Sequence, residues 1–429
     1  MKQLLAYCLS IILCVSFTGC MENYLDLYPE DKITSASFPE NESDIKLLLN
    51  GVYAQLREKE VYNQGLFGFG ITDGATPNAF NWGTDEVFNK LGAGRLSSSD
   101  GGVVTYRWKR CYEIISRANY LLACMDLVDL SEEAKAKYSG ETHFLRGLAY
   151  SVLAETYGGV PIILTNISTE EARSLKRASL EETWQQALDD YEVAITNLGV
   201  DAPEPGRATK GAALGMKMRA YLYQGKYKEV LACVEQIDAL KKYGLFHSYE
   251  GLFDPANENN KEVLFDIQYI EGENSQGSYI DQYCGTGTGS WTRGSRYVPT
   301  DDLVAAYETI DGSPVDPENP YENRDPRLGF TAVLPGSYFL GYRFPNYLYP
   351  GGAFNHAGNR LKHLSTRKYR IQDESKLPPS GQSYINDIIL RYADVLLSKA
   401  EAIIETNGNV ADAIAILNRI RTERDDVKI

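Results

Sequence analysis

Gly225 and Gly408 each sit between two amphipathic stretches, and that arrangement narrows the possible folds more than anything else in the 429 residues. Lys210 to Tyr223 and Tyr227 to Lys241 flank Gly225, while Ile389 to Thr406 and Val410 to Arg424 flank Gly408. Val230 follows the first glycine at the same distance as Ala413 follows the second. A glycine between two such stretches lets the chain turn and the helices approach, and neither helix can bury its apolar stripe alone. The pairs must therefore stack on other helices.

Tyr221, Gly225, Val230 and Ile237 fall at the spacings of a tetratricopeptide unit. Further helices are predicted upstream. Ile45, Leu48, Leu49, Val52, Tyr53 and Leu56 recur at helical spacing between Asp44 and Arg57, and a second helix spans Val104 to Met125. A third runs from Ser131, an N-cap with Glu133 close behind, to Tyr157, where Gly158, Gly159 and Pro161 end it. Ser179 opens another that ends near Leu198. Two stretches, 62–102 and 252–384, are rich in Gly, Pro, Asn, Asp and Tyr and lose the helical period. Within the second, Val263, Phe265, Ile267 and Tyr269 alternate as a short strand does. The predicted fold is mainly α: a tetratricopeptide-like helical-repeat superhelix, right-handed, with long loop-rich insertions and a few short strands. The chain divides into a signal peptide at 1–19, a helical region at 20–251, a loop-rich region at 252–383 that faces ligand and partner, and a C-terminal helical hairpin at 384–429.

Lys2 precedes the apolar run Leu4–Phe17, long enough for a signal peptide and too short to span a bilayer. Phe17-Thr18-Gly19-Cys20 resembles a bacterial lipobox, in which the cysteine sulfur receives lipid after cleavage. Plain cleavage without acylation is the alternative. Acyl chains, at about 0.8 kcal/mol per buried CH₂, would hold the body on a membrane without a spanning helix. Cys8 and Cys14 leave with the signal, and Cys111, Cys124, Cys233 and Cys284 form no disulfide framework. A net charge of −15 argues against nucleic acid, whose phosphates call for clustered Lys and Arg.

Signals for chemistry are lacking. His143, His247, His356 and His363 have no metal-ligand spacing, and the glycine-rich Cys284–Trp291 run lacks the GK[ST] of a phosphate loop. Ser365 with Lys368, and Ser43 with Lys46, fit SxxK without its companion motifs. No catalytic residue, metal ligand or cofactor is nominated. Because Asp and Glu pairs arise everywhere among 58 acidic residues, glycosidase chemistry is not excluded by sequence alone.

Several segments, in order along the chain, resemble the SusD/RagB family of surface lipoproteins. They are Cys20–Leu56, Glu141–Tyr150 (ETHFLRGLAY) with Tyr157–Pro161, Arg207–Leu214 with Ala220–Gly225, Asn257–Asp266 (NENNKEVLFD), Pro299–Tyr307 (PTDDLVAAY), Asn323–Leu328 and Ile388–Leu397 (IILRYADVLL). Each is weak alone; their colinear order over nearly the whole mature chain is specific. The resemblance implies a protein that binds oligosaccharide without cleaving it, on the face of a SusC-like TonB-dependent transporter, and is held on the outer membrane through Cys20. Family members continue past the helix containing Leu417–Arg421, so this chain is expected to be short at its C-terminus.

The family's ligand loops correspond here to Asp73–Trp82 and Trp291–Tyr297. Trp82 and Trp291 are expected to form a stacking platform, with Asp73, Asn78, Asn81, Arg293, Arg296 and Tyr297 around them. A flat ring covers the C–H face of a sugar while Asp, Asn and Arg bond its hydroxyls. The alternative is that both Trp anchor their loops to the helical body. A third aromatic run, Tyr338–Tyr349, either extends the site or meets the transporter. A peptide-binding or scaffolding role on the same fold, and a glycan hydrolase, are the competing functions.

Overall fold

The computed structural model describes residues 38–57, 73–81, 90–271, 277–278, 280, 297–343, 364–371, 373–378 and 382–427. Helix α1 (Glu42–Arg57) buries Ile45, Leu49, Val52 and Leu56, the stripe expected from their spacing. It packs on α2 (Val103–Cys124), and α2 packs on α3 (Glu132–Tyr157). Ser131 Oγ caps α3 by accepting the Ala134 N–H at 3.2 Å. From Phe144 to Ala154 every residue of α3 is buried, so this helix is the axis around which the others gather.

The partner of α3 is α5 (Leu180–Asn197), reached after a short helix α4 (Thr169–Ser174). Gly140 and Gly147 make the approach possible, since a Cβ at Gly147 would sit 3.1 Å from the Ala187 carbonyl and from Asp190 Cβ. Across this seam Arg146 donates to both carboxylate oxygens of Asp190, and its Nη1 donates to Asn119 Oδ1 at 2.8 Å. The ion pair is buried on both sides and has its hydrogen bonds filled, the condition under which such a pair is tolerated in a core.

Packing then passes from α5 to α6 (Lys210–Tyr223), to α7 (Tyr227–Ala239), to α10 (Tyr392–Glu405) and to α11 (Val410–Thr422). Gly225 turns between α6 and α7 with φ of 66°, a conformation in which glycine carries no Cβ penalty. Tyr392, Val395, Leu396 and Ala402 of α10 lie in the same apolar core as Phe144, Leu214 and Val234. The C-terminal hairpin and the central helices therefore share one interior, and the fold is the mainly α, tetratricopeptide-like stack that the glycine-centred pairs imply.

Strands are short and arise in the insertions. Among the described residues β1 (Ala79–Asn81) pairs with β3 (Tyr297–Pro299), β2 (Val263–Ile267) with β8 (Asp387–Arg391), β4 (Ala332–Val333) with β7 (Ser365–Thr366), and β5 (Tyr338–Phe339) with β6 (Tyr342–Arg343). All four pairings are antiparallel. Short helices α8 (Asp301–Ala306) and α9 (Pro326–Thr331) lie between β3 and β4. A small second core of Leu252, Phe253, Ile280, Tyr369, Ile371 and Ile385 holds this region together.

One expected helix start is displaced. The helix read as beginning at Ile389 begins at Tyr392, because residues 387–391 extend to pair with β2. Leu390 comes so close to α6 that a Cβ on Gly215 would lie 2.3 Å from its Cδ2, and the Tyr392 N–H closes the ladder on the Glu262 carbonyl at 2.7 Å. Cys111, Cys124 and Cys233 are buried free thiols. Among the described residues no helix is long and apolar enough to cross a membrane.

Candidate functional site

The two loops nominated from sequence meet in one antiparallel ladder. Ala79 pairs with Pro299, Phe80 with Val298, and Asn81 with Tyr297. Two further bonds come from Thr300, whose N–H donates to the Asn78 carbonyl at 3.1 Å and whose hydroxyl donates to the Pro77 carbonyl. The same hydroxyl accepts the Leu303 N–H at 3.1 Å and caps α8, so the Pro-Thr segment fixes both the ladder and the helix after it. Val298 is buried beneath the ladder, while Phe80 and Asn78 are exposed.

Of the nominated residues, Asn81 and Tyr297 are therefore backbone partners, and Asn78 immediately precedes the shared ladder. Trp82, Trp291, Arg293 and Arg296 lie outside the described residues, as do Cys20 and the Gly-rich run at 284–291. Asp73 opens a single turn of 3₁₀ helix, Asp73–Ala75, whose first carbonyl accepts from Thr76 through both N–H and hydroxyl. Asp73 also lines a cavity of 380 Å³ to which no ladder residue contributes.

That cavity is the part of the site that sequence reading missed. One wall is helical: Glu155 from α3, Trp184 from α5, and Arg219 and Tyr223 one turn apart on α6. The opposite wall is Asp387 to Ile389 of β8 together with Lys368 and Tyr369. The Trp184 and Tyr223 rings meet edge to face with centroids 6.5 Å apart; Trp184 is 6% exposed and Tyr223 52%. Arg219 Nη2 donates to Asp394 Oδ2 at 2.5 Å and to the Ile389 carbonyl at 3.0 Å, so its guanidinium is fixed in place. Lys368 Nζ lies 4.3 Å over the Phe253 ring. Tyr369 has φ of 58°, a left-handed backbone that costs a non-glycine residue about 1 kcal/mol or more and that gathers at functional sites. Its ring is buried against Phe253, 4.7 Å away. Burial and the neighbouring carboxylates of Asp266 and Asp73 push the Asp387 carboxyl up to about 7.

No residue of this cavity other than Asp73 carries a sequence signal for binding. Asp387 precedes an apolar run that reads as helix, Arg219 and Tyr223 sit on an amphipathic helix, and their convergence depends on β8 lying across α6. Among the described residues no group of His, Cys, Asp and Glu is arranged to hold a metal ion. Hydrogen-bond donors and acceptors beside aromatic faces make a surface suited to recognition of a polar ligand.

A helical-repeat body carrying a polar, aromatic-lined recognition surface on its insertions defines a class of ligand-binding protein. Residues 261–424 match the model of the SusD family, and residues 23–222 match a second model described as starch-binding, associating with outer membrane. The chain belongs to the SusD/RagB family. It is 26% identical to the SusD-like protein P25 of Formosa agariphila over 98% of this chain and 81% of that one. A SusD-like protein of Bacteroides ovatus is 24% identical, covering 94% of this chain and 73% of its own. Among solved structures, a SusD-like carbohydrate-binding protein of Bacteroides fragilis superposes with a TM-score of 0.76 at 26% identity, covering 88% of this chain and 78% of that one. A laminarin-binding SusD-like protein shares the fold, with a TM-score of 0.71 at 20% identity over 90% of this chain and 84% of its own.

Proposed function

We propose that this protein is a surface glycan-binding lipoprotein that captures oligosaccharide without cleaving it and passes it to a SusC-like TonB-dependent transporter in the outer membrane. The observation that carries the reading is the β1–β3 ladder, which joins the two loops bearing Trp82 and Trp291 although more than two hundred residues separate them. Two aromatic residues on adjoining polar loops make a platform for sugar faces, with Asn78, Asn81, Arg293, Arg296 and Tyr297 available for hydroxyls. The relatives named for carbohydrate and laminarin binding, and the family model named for starch binding at the outer membrane, support the same ligand class and location. The printed names of these relatives describe binding proteins rather than enzymes.

Calorimetry against a panel of neutral plant, fungal and algal oligosaccharides tests the binding step. Trp82→Ala and Trp291→Ala are each expected to weaken the cognate glycan at least tenfold, with no reducing sugar released by the wild type. Unchanged affinity in both variants would sink the platform, and turnover would sink the non-catalytic reading. Hand-over is tested by co-purification with the co-expressed transporter.

A further inference from the structure

We infer that the 380 Å³ cavity lined by Asp73 is a second saccharide subsite, one that takes one or two neutral sugar units from the same ligand as the loops. This rests on the glycan-binding reading and adds to it a separate place, size and charge for part of the ligand.

Size comes first. The cavity falls within the roughly 300–1,000 Å³ of small-molecule sites. A dry cavity of about 150 Å³ already admits one six-membered ring, so 380 Å³ has room for about two. Charge then selects the ligand. Arg107, Arg219 and Lys368 stand with Asp73, Glu155 and a partly ionised Asp387, and Asp394 pairs with Arg219 from outside the lining, so cations and acids come close to balance and reward an ionic ligand little. Arg219 is already neutralised by Asp394, and Lys368 is spread over the rings of Phe253, Tyr249 and Tyr369. Both walls present acceptors and donors together, Glu155 with Arg219 on the helical side and Asp387 with Lys368 on the other, and neighbouring sugar hydroxyls each donate and accept. An ionised acid as acceptor and a guanidinium as donor make the stronger, charge-assisted form of such bonds.

Shape supports the same occupant. The half-exposed Tyr223 ring stands at the mouth beside the enclosed Trp184, an edge-to-face pair whose free surface suits an apolar C–H face. The floor is held rigidly: Arg219 binds the β8 backbone, and β8 is tied to β2, so little ordering is needed when a ligand enters. Asp73 connects the two places, since it lines the cavity and lies six residues before β1.

The experiment compares wild type with Tyr223→Ala and with Glu155→Gln/Asp387→Asn on an array of neutral, charged and peptide ligands, followed by calorimetry on the best binder. Tyr223 and Glu155 are exposed and Asn is isosteric with Asp, so folding is checked simply by melting temperature and circular dichroism. The expected result is a neutral oligosaccharide whose dissociation constant rises at least tenfold in both variants, with the loss already present for its disaccharide or trisaccharide. Equal affinity in folded variants overturns the subsite and leaves the loop platform standing. A wild type that binds only charged ligands or peptides overturns both the subsite and the glycan reading.

Discussion

Arg424 is buried to the depth of the core leucines, and its guanidinium is paired there with Glu262. Its Nη2 reaches Glu262 Oε1 at 2.7 Å, where both side chains are at most 1% exposed. The same carboxylate accepts from Arg391 Nη1 at 2.8 Å and from the Phe246 N–H at 2.7 Å. Removing one member of such a group leaves the others desolvated with a bond unfilled. Arg424→Met is expected to cost about 3 kcal/mol in urea unfolding; an unchanged midpoint would contradict the role assigned to the pair. Asp387 gives the opposite case, a carboxyl whose ionised form the fold resists. With its titration moved from 3.8 to about 7, the stability it contributes is complete below the lower value and is lost as pH rises through the upper one. Asp387→Asn should match wild type near pH 4 and exceed it by about 1–2 kcal/mol at pH 8, read from urea melts at both values; a constant difference across that range would refute it. Neither residue announces itself in the sequence. Arg424 and Glu262 lie 162 positions apart, and their pairing exists only once the C-terminal tail folds back onto the loop region.

Helices were legible because their signals are local. Ser179 shows this best: its hydroxyl accepts the Glu182 N–H at 3.1 Å, and the Glu182 carboxylate accepts the Ser179 N–H at 2.7 Å. This reciprocal cap is written in four consecutive residues, which is why Ser179 is legible as the start of its helix. Ser179→Ala is expected to cost about 1 kcal/mol, seen as a melting point lower by a few degrees with the fold unchanged; no shift would mean that the tight Gly159–Ala178 contact fixes the helix start by itself. The β8 segment was misread for the converse reason. Ile388, Ile389 and Leu390 continue the apolar pattern of the helix after them, and only the presence of β2 across the gap turns them into a strand. Alternation around β2 is legible because polar Asp266 and Gln268 fall between Phe265, Ile267 and Tyr269, whereas the Ile388–Leu390 run of its partner has no such interruption. The candidate site divides the same way. The loops containing Asn81 and Tyr297 are marked by composition and resemblance, and the ladder joins them, whereas the cavity brings Arg219 and Tyr223 of α6 to Asp387 of β8, a meeting that no local pattern encodes.

At the scale of the whole molecule, the proposed place at the outer membrane raises the question of what would hold an acidic body of −15 formal charge there. Among the described residues no helix can cross a bilayer, and no excess of basic residues exists to bind anionic headgroups. The proposed hold is covalent lipid on Cys20, and the argument is quantitative. One acyl chain gives only marginal, reversible attachment, while two or more, at about 0.8 kcal/mol for each buried CH₂, give an anchor that does not exchange on the time of a fractionation. Cys20→Ala should therefore move the protein from the membrane pellet to the soluble fraction and abolish incorporation of labelled palmitate. Expression without the transporter is essential to the design, because a partner in the membrane would retain an unlipidated protein. Under that condition a Cys20→Ala protein that still sediments with membranes would mean that another surface, not the cysteine, makes the attachment, and the orientation of the glycan site toward a transporter would have to be argued from that surface instead.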